Sequence, residues 1–309
     1  MRTKFIIILL LLGHALSALG MPDDEIALKL DYDLSMVAAD VVPSPILFSQ
    51  TAMIYDEEQQ RPLYTKNVES VVPIASITKL MTAMVVLDAQ LPMDENIRIS
   101  TRDMDTLKGT RSRLHPGMTL TRGELLKLAL MASENRAAAA LARTYPGGTE
   151  TAVAMMNDKA RELDMKDTRF LDPTGLNSGN VSTAQDLVKM VLAAQTYEPI
   201  HKATTSASHT AAPVGYRSML YWNTNVLVRN GSWDIDVSKT GYINEAGRCL
   251  VMKANLNHRP VVIVLLDSGS KSRRIKDTNR IKEWMESAYD TGKSMHMATT
   301  VATVAEMHM

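Results

Sequence analysis

The chain has 309 residues, of which 45% are hydrophobic and 22% charged, and this profile is that of a globular protein with enough apolar residues for a large core. Lysine and arginine together number 34, and so do aspartate and glutamate, so the formal net charge is zero. A balanced charge gives no overall basic field, and no nucleic-acid partner is expected.

The N-terminus has the pattern of a secretory signal peptide, which we predict over residues 1–20. Arg2 and Lys4 precede an apolar run over 5–12, and small residues that suit a signal peptidase follow. The apolar run is about half as long as a membrane span requires, so no stable membrane anchor is expected. The sequence therefore predicts cleavage of this segment and a periplasmic location.

The rest of the chain is predicted to form a lead-in segment over 21–48, one folded domain over 49–290 and a disordered tail over 291–309. Pro43 and Pro45 and the absence of a clear hydrophobic period mark the lead-in segment. No internal repeat and no long linker divides the folded domain.

Hydrophobic patterning predicts strands at both ends of this domain and helices between them. Residues 52–64 have the pattern of a β-hairpin with a charged turn, and a helix with one apolar stripe begins near Ser76. A helical lobe follows over about 100–200. Within it, Thr183 has the position of an N-cap, with an acidic residue three positions later.

Strands return after about residue 220. An antiparallel pair is predicted over 249–256 and 261–266, and a closing helix over 273–288, with Ile275, Ile281 and Trp284 facing inward. These elements indicate an α+β fold, in which an antiparallel sheet flanked by helices is built from both ends of the chain and an all-helical lobe is inserted between them.

Disulfide and metal chemistry have little support in the sequence. Cys249 is the only cysteine and lies in a strand-like segment, so no internal disulfide is expected and the thiol is predicted to be buried and inert. No H-E-x-x-H pair is present, which disfavours a zinc peptidase, and no metal or cofactor is predicted. The methionines and histidines of the tail are interpreted as part of the disordered segment.

Three short motifs carry the chemical signal, in this order: Ser76-Ile77-Thr78-Lys79, Ser133-Glu134-Asn135 and Lys239-Thr240-Gly241. A serine becomes a nucleophile when a base removes its proton. Ser76 and Lys79 are three positions apart, which places both side chains on one face of a helix. Burial and a second cation, for which Lys239 is the candidate, lower the pKa of a lysine and make it a base.

Sequence context separates these motifs from chance matches. Ser268 also begins an S-x-x-K pattern but lies in a polar loop, whereas Ser76 opens an apolar helix. Ser178 begins a second S-x-N pattern but follows a turn, whereas Ser133 lies between two predicted helices. The K-T-G triplet at 239–241 occurs once, at the end of a strand-like run. Together the three motifs indicate acyl transfer through a serine.

This set of motifs is typical of penicillin-binding proteins and class A β-lactamases. The chain resembles the low-molecular-mass penicillin-binding proteins of the D-alanyl-D-alanine peptidase family. The likeness covers roughly residues 45–290 and also includes 145–148 and 173–176. It implies a penicillin-binding transpeptidase or β-lactamase-like fold with 49–290 as the peptidase domain. It further implies peptidoglycan peptide cross-links as substrate and β-lactams as inhibitors.

The resemblance also implies a role for each motif residue. Ser76 is the nucleophile that forms an acyl-enzyme, Lys79 accepts its proton, and Ser133 relays a proton to the leaving amine. The backbone amides of Ser76 and Tyr242 form the oxyanion hole. The substrate-binding residues are Asn135, Lys239, Thr240, Gly241 and Tyr242.

Three alternative activities stay open. A class A β-lactamase needs a glutamate that positions a deacylating water, and Glu162 is a poor substitute for one. Membrane-bound carboxypeptidases of the family carry a further C-terminal β-domain and an amphipathic helix, whereas about 20 residues follow the closing helix here, which favours an endopeptidase over a carboxypeptidase. The third alternative, an inactive cell-wall-binding module, is disfavoured by the three intact motifs.

Overall fold

The structure, a computed structural model, describes residues 41–291, 294–295 and 298–300, and it divides into two compact units. The described part of the smaller unit holds the parallel pair of Val41–Val42 with Ser294–Met295. The larger unit contains 44–286 and residues 298–300. The predicted signal peptide lies outside the described residues, as do most of the lead-in segment and of the tail.

The elements are numbered in chain order. The strands are β1 Val41–Val42, β2 Thr51–Asp56, β3 Arg61–Lys66, β4 Val72–Pro73, β5 Asn96–Arg98, β6 Thr119–Thr121, β7 Val181–Ser182, β8 Ser208–Ala211, β9 Met219–Trp222, β10 Asp234–Ile243, β11 Gly247–Leu256, β12 Arg259–Leu266, β13 Ser294–Met295 and β14 Ala298–Thr300. The helices are α1 Thr78–Asp88, α2 Arg122–Met131, α3 Asn135–Arg143, α4 Gly148–Glu162, α5 Ala184–Ala194, α6 Glu198–Thr205, α7 Val226–Arg229 and α8 Lys271–Thr291.

A sheet in the order β10-β11-β12-β2-β3-β14 forms the framework of the larger unit. Its first five strands are antiparallel neighbours, and β14 runs parallel to β3. Strands from the start of the chain thus pair directly with strands from its end, as Ile263 of β12 does with Ile54 of β2. The predicted α+β class and the antiparallel sheet built from both ends of the chain are confirmed.

The strands β11 and β12 form because their β-branched and other apolar residues are buried on both faces of the sheet. Val251 and Val264 join the core that also includes residues of α1 and α5. The alternate positions Leu250 and Ile263 are buried as well. Near-continuous apolar runs of this kind are expected where helices cover both faces of a sheet.

Helices occupy the chain between β3 and β10, where the sequence predicted them. The Thr183 side chain accepts a hydrogen bond from the Asp186 amide at the start of α5, as an N-cap does. The sequence did not predict helices α6 and α7, the hairpin of β8 with β9, or the short strand pairs β4 with β7 and β5 with β6. Strands β6 and β7 lie within the lobe that was predicted to be all-helical. Strands β8 and β9 have four residues each, which is too short for a clear hydrophobic period.

Helix α8 is tied to the start of the domain by a buried carboxylate. Asp277 is fully buried and accepts hydrogen bonds from the backbone amides of Phe48 and Ser49, both at 2.8 Å, and from the Ser49 hydroxyl at 2.6 Å. Ile281 and Trp284 are buried, as predicted, whereas Ile275 is only partly buried.

Replacing Asp277 with alanine should lower the free energy of unfolding by about 2–4 kcal/mol, since two buried amides and a hydroxyl would lose their acceptor. Urea denaturation followed by circular dichroism measures this change. Glu283→Ala is the matched control, because Glu283 is an exposed acid of the same helix, and it should change stability by less than about 0.5 kcal/mol. Equal stability of the two variants would contradict the role given to Asp277.

Candidate active site

Ser76 lies where a short 3-10 helix, Ala75–Ile77, leads into α1. The approach to it is fixed, because Pro73 pairs with Val181 and the Ile74 amide donates to the Asn180 carbonyl at 3.1 Å. Ala75 has a φ of +48°, a conformation that turns the chain sharply before the serine. The side chain of Ser76 is 9% exposed, so its hydroxyl borders the cleft rather than open solvent.

Lys79 lies beneath this serine and is 1% exposed. Its Nζ donates to the Ser76 hydroxyl at 2.9 Å, to Asn135 Oδ1 at 2.7 Å and to the Thr174 carbonyl at 2.6 Å. Burial lowers the pKa of Lys79 to about 8, and the negative charges of Asp172 and Glu134 oppose that shift. A lysine with this pKa has a sizeable neutral fraction near neutrality, and it can then accept the hydroxyl proton of Ser76.

Ser133 faces a second buried lysine. It lies between α2 and α3 with a φ of +58°, and its hydroxyl accepts a hydrogen bond from Lys239 Nζ at 2.9 Å. Lys239 also donates to the Thr240 carbonyl at 2.8 Å. Burial is the largest cause that lowers the pKa of Lys239 well below its usual range, and the charges of Lys79 and Arg274 act in the same direction. The two motif serines are thus each hydrogen-bonded to a lysine of reduced proton affinity.

The end of β10 runs alongside the serine. A β-carbon at Gly241 would lie 3.2 Å from the Ser76 amide nitrogen and 3.0 Å from the Ile74 carbonyl oxygen, so a side chain here would crowd the backbone before Ser76. The Thr240 hydroxyl donates to Thr224 Oγ1 at 2.7 Å. Tyr242, the next residue, is 46% exposed and stands at the rim of the cleft.

These residues border one cleft of about 630 Å³. Ser76, Ser133, Asn135, Thr240, Gly241 and Tyr242 line it, and Lys79 and Lys239 reach it through their hydrogen bonds to the two serines. All eight residues predicted from the motifs therefore meet at a single place. Ser268, the start of the second S-x-x-K pattern, is instead buried and hydrogen-bonded to Ser49 at 2.8 Å.

Comparison with known proteins accounts for this arrangement. The sequence profile of D-alanyl-D-alanine carboxypeptidases matches residues 39–270. The chain belongs to the D-alanyl-D-alanine carboxypeptidase family. It is similar to the D-alanyl-D-alanine endopeptidase of Pseudomonas aeruginosa, with 44% identity over 79% of either chain.

Two solved structures share the fold. The DD-transpeptidase of Streptomyces K15 is 28% identical with a TM-score of 0.74, over 80% of this chain and 100% of that one. Penicillin-binding protein D2 of Listeria monocytogenes, solved with ampicillin bound, is 29% identical with a TM-score of 0.67, over 78% and 98%. The resemblance inferred from the motifs is confirmed, and so is the prediction of a serine-type DD-peptidase. The roles of the individual site residues stay predictions.

In this family member, the turn over 172–177 supports Ser76, the candidate nucleophile. Asp172 orders the turn, since its carboxylate accepts hydrogen bonds from the amides of Thr174 at 2.9 Å and Gly175 at 3.1 Å. Thr174 then presents its carbonyl to Lys79. Gly175 has a φ of +80° and lies against the peptide that joins Ala75 to Ser76. The sequence marked this segment as a turn but did not reveal that it touches the site.

Arg274 is a further site residue that the motifs do not contain. Its side chain is 6% exposed, lines the cleft, and donates to the Cys249 carbonyl at 2.9 Å. Cys249 itself is buried, as predicted, and burial raises the pKa of its thiol to about 11. The hydrophobic periodicity of α8 did not identify Arg274 as a site residue, because this arginine occupies a buried position of the kind that apolar residues usually fill.

Within the described part of the chain, no group of three or more metal-ligating side chains is found. Over the same residues, none of the helices combines the length and the hydropathy that crossing a bilayer requires. The Met- and His-containing end of the tail lies outside the described residues.

Gly175→Ala should slow acylation by penicillin on the order of a hundredfold, because the new β-carbon would lie 1.9 Å from the Ala75 carbonyl oxygen and displace the serine turn. Stopped-flow labelling with a fluorescent penicillin measures the rate. Gly215→Ala is the control, because Gly215 also has a positive φ, +75°, but its β-carbon would meet nothing within 4 Å. Equal rates in the two variants would show that Gly175 does not support Ser76.

The acylation rate should rise with pH and level off above about 8, since Lys79 accepts a proton only in its neutral form. Below that pH the rate should fall about tenfold per unit. Asp172→Asn should move the rising limb to lower pH, because the Asp172 charge raises the pKa of Lys79. A rate that is flat between pH 6 and 9 would contradict Lys79 as the base.

Proposed function

We propose that this protein is a D-alanyl-D-alanine endopeptidase that hydrolyses the peptide cross-links of peptidoglycan through an acyl-enzyme at Ser76. The observation that carries the proposal is the hydrogen bond of Lys79 Nζ to the Ser76 hydroxyl, 2.9 Å long and buried at the base of the cleft. The 44% identity with the endopeptidase of Pseudomonas aeruginosa supports the choice of reaction.

In acylation, neutral Lys79 takes the proton of the Ser76 hydroxyl while the oxygen attacks the carbonyl carbon of the D-alanyl residue. The backbone amides of Ser76 and Tyr242 stabilise the oxyanion. The bond from carbon to the leaving nitrogen then breaks. Ser133 passes its hydroxyl proton to the leaving amine and regains one from Lys239, with which it is hydrogen-bonded at 2.9 Å.

In deacylation, a water molecule replaces the leaving amine. Before this step Lys79 loses to solvent the proton that it took from Ser76, and Lys239 regains a proton from solvent. Neutral Lys79 then accepts one proton of the water while the water oxygen attacks the ester carbonyl. The bond to the Ser76 oxygen breaks, that oxygen takes the proton back from Lys79, and the product acid ionises to a carboxylate. Asn135 contributes by position, because its amide oxygen accepts a hydrogen bond from Lys79 at 2.7 Å while its amide nitrogen donates to Thr110 at 3.0 Å. The side chain is thereby fixed where a substrate backbone would pass.

Substrate anions have cationic partners in the cleft. Arg274 supplies buried positive charge, Lys239 adds to it when protonated, and Thr240 supplies a hydroxyl. β-Lactams, which carry a carboxylate next to a reactive amide, fit the same positions, so we expect them to acylate Ser76 and inhibit the enzyme. The ampicillin complex of the Listeria protein supports this expectation.

The residues of the cleft favour a peptidase over a β-lactamase. Among its lining residues, all within the described part of the chain, none is an aspartate or a glutamate. Glu162, the one candidate noted for a water-positioning role, ends α4 and interacts with Lys159 at 3.6 Å. Its side chain is 64% exposed and does not line the cleft.

A periplasmic location follows from the proposed substrate. The pattern of charged, apolar and small residues over 1–20 supports export by a cleaved signal peptide. N-terminal sequencing of the protein recovered from the periplasm of an expressing cell would locate the cleavage site.

Incubation with cross-linked muropeptide dimers and, separately, with pentapeptide monomers tests the proposal. The wild-type protein should convert dimers to monomers, and Ser76→Ala should abolish both this conversion and labelling by a fluorescent penicillin, because the hydroxyl that forms the ester is gone. Thermal melting of Ser76→Ala checks that the variant is folded.

Three results would contradict the proposal. Release of D-alanine from monomers with dimers left intact would identify a carboxypeptidase. Rapid, repeated turnover of nitrocefin would identify a β-lactamase. Labelling that persists in Ser76→Ala would refute Ser76 as the nucleophile.

A further inference from the structure

The lining of the cleft is rich in basic side chains. Its five basic residues are Lys108, Arg229, Arg248, Lys271 and Arg274, and no lining residue is acidic. The whole chain has a formal net charge of zero, so this excess is local. Lys108 is paired with Glu245, which leaves four cations to act on a ligand.

Arg248 is held in place by an aromatic ring. It is the cross-strand partner of Tyr242 where β10 and β11 pair, and its guanidinium carbon lies 3.6 Å from the centre of the Tyr242 ring. The tyrosine hydroxyl in turn donates to Asn244 Oδ1 at 2.9 Å. Stacking restrains the guanidinium plane but leaves the N–H groups at its edge available to an acceptor.

Arg248 and Lys271 form no ion pair with a carboxylate among the residues that the structure describes. The acidic residue nearest to Arg248 in sequence, Glu245, is paired with Lys108. A fixed cation without an acidic partner at the edge of an active-site cleft is suited to an anionic group of the substrate.

The cations lie at two depths. Arg274 is 6% exposed and contributes to the low proton affinity of Lys239, so it belongs to the reacting centre. Arg248 is half-buried and Lys271 is exposed, so they lie nearer to solvent. A monomeric substrate releases D-alanine, which has one carboxylate close to the broken bond. The leaving strand of a cross-link is a longer peptide with a further carboxylate at its own C-terminus.

We propose that Arg248, restrained by Tyr242 and assisted by Lys271, binds the terminal carboxylate of the leaving strand and thereby favours cross-linked dimers over monomers. This inference rests on the proposed endopeptidase function, and it adds a specificity-determining contact outside the three motifs. It assigns Arg248 and Lys271 to the C-terminal carboxylate of the leaving strand, a group that only a cross-linked substrate possesses.

The test compares two synthetic dimers, one whose leaving strand ends in a carboxylate and one whose leaving strand ends in a carboxamide. In the wild-type protein, the carboxamide should lower kcat/KM roughly fivefold, the size expected for a charge-assisted contact near solvent. Arg248→Gln should lower kcat/KM by the same factor on the carboxylate dimer and should have little effect on the carboxamide dimer. Arg248→Lys keeps the charge without the stack and should recover part of the loss.

Arg217→Gln serves as the matched control, because Arg217 is exposed and does not line the cleft. It should behave as the wild-type protein on both dimers. Raising the salt concentration should reduce the preference of the wild-type protein for the carboxylate dimer, since screening weakens a contact near solvent.

The outcomes separate the inference from the function on which it rests. A wild-type protein that cleaves neither dimer contradicts the endopeptidase function and the inference together. A wild-type protein that cleaves both dimers equally, or an Arg248→Gln variant that slows both by the same factor, overturns the inference alone. A loss confined to the carboxylate dimer supports it, because a purely structural defect would affect both substrates.

Discussion

The burial of two lysine side chains in one cleft is the constraint on which the rest of the site depends. Lys79 and Lys239 are each 1% exposed, and burying an ammonium group costs several kcal/mol unless hydrogen bonds replace its water. Their acceptors are hydroxyl, amide and carbonyl oxygens. Because no carboxylate contacts either nitrogen among the described residues, neither charge is fully compensated, and the neutral form becomes accessible.

The backbone around Ser76 and Ser133 adopts unusual conformations. Ala75 and Ser133 both adopt positive φ angles, which cost a non-glycine residue about 1 kcal/mol or more each. Such conformations persist when their surroundings fix them. Gly175 lies against the peptide after Ala75, and Gly241 approaches the same turn from β10, so the nucleophile is held between two backbone segments that a side chain at either position would separate.

Local signals in the sequence were sufficient for the main elements and for the motif residues. The apolar runs of β11 and β12, the N-cap at Thr183 and the three-residue spacing of Ser76 and Lys79 each act over a few positions, so they can be recognised without a structure. The meeting of β2 with β12 could be anticipated from the order of strands and helices, although not in its register.

The residues that were missed depend on contacts between distant parts of the chain. Arg274 occupies a buried position on α8, where helical periodicity predicts an apolar residue. It donates a hydrogen bond to a carbonyl of β11. Asp172 acts by ordering the turn over 172–177. Arg248 is restrained by the ring of Tyr242, its partner on the neighbouring strand. Nothing in the spacing of these residues shows that they lie near one site, because Asp172, Arg248 and Arg274 are 96, 172 and 198 positions from Ser76 in the chain (172 − 76, 248 − 76 and 274 − 76).

The same distribution of charge links catalysis to substrate binding. Burial is the largest cause that lowers the pKa of Lys239, and the positive charges of Lys79 and Arg274 lower it further. Electrostatic coupling between two sites is reciprocal, and an anion bound beside Arg274 therefore offsets that field and favours protonated Lys239. Lys239 is hydrogen-bonded to Ser133, the residue from which a leaving amine would take its proton. In the proposed mechanism, an anionic substrate would therefore favour protonated Lys239 at the step in which Ser133 regains a proton.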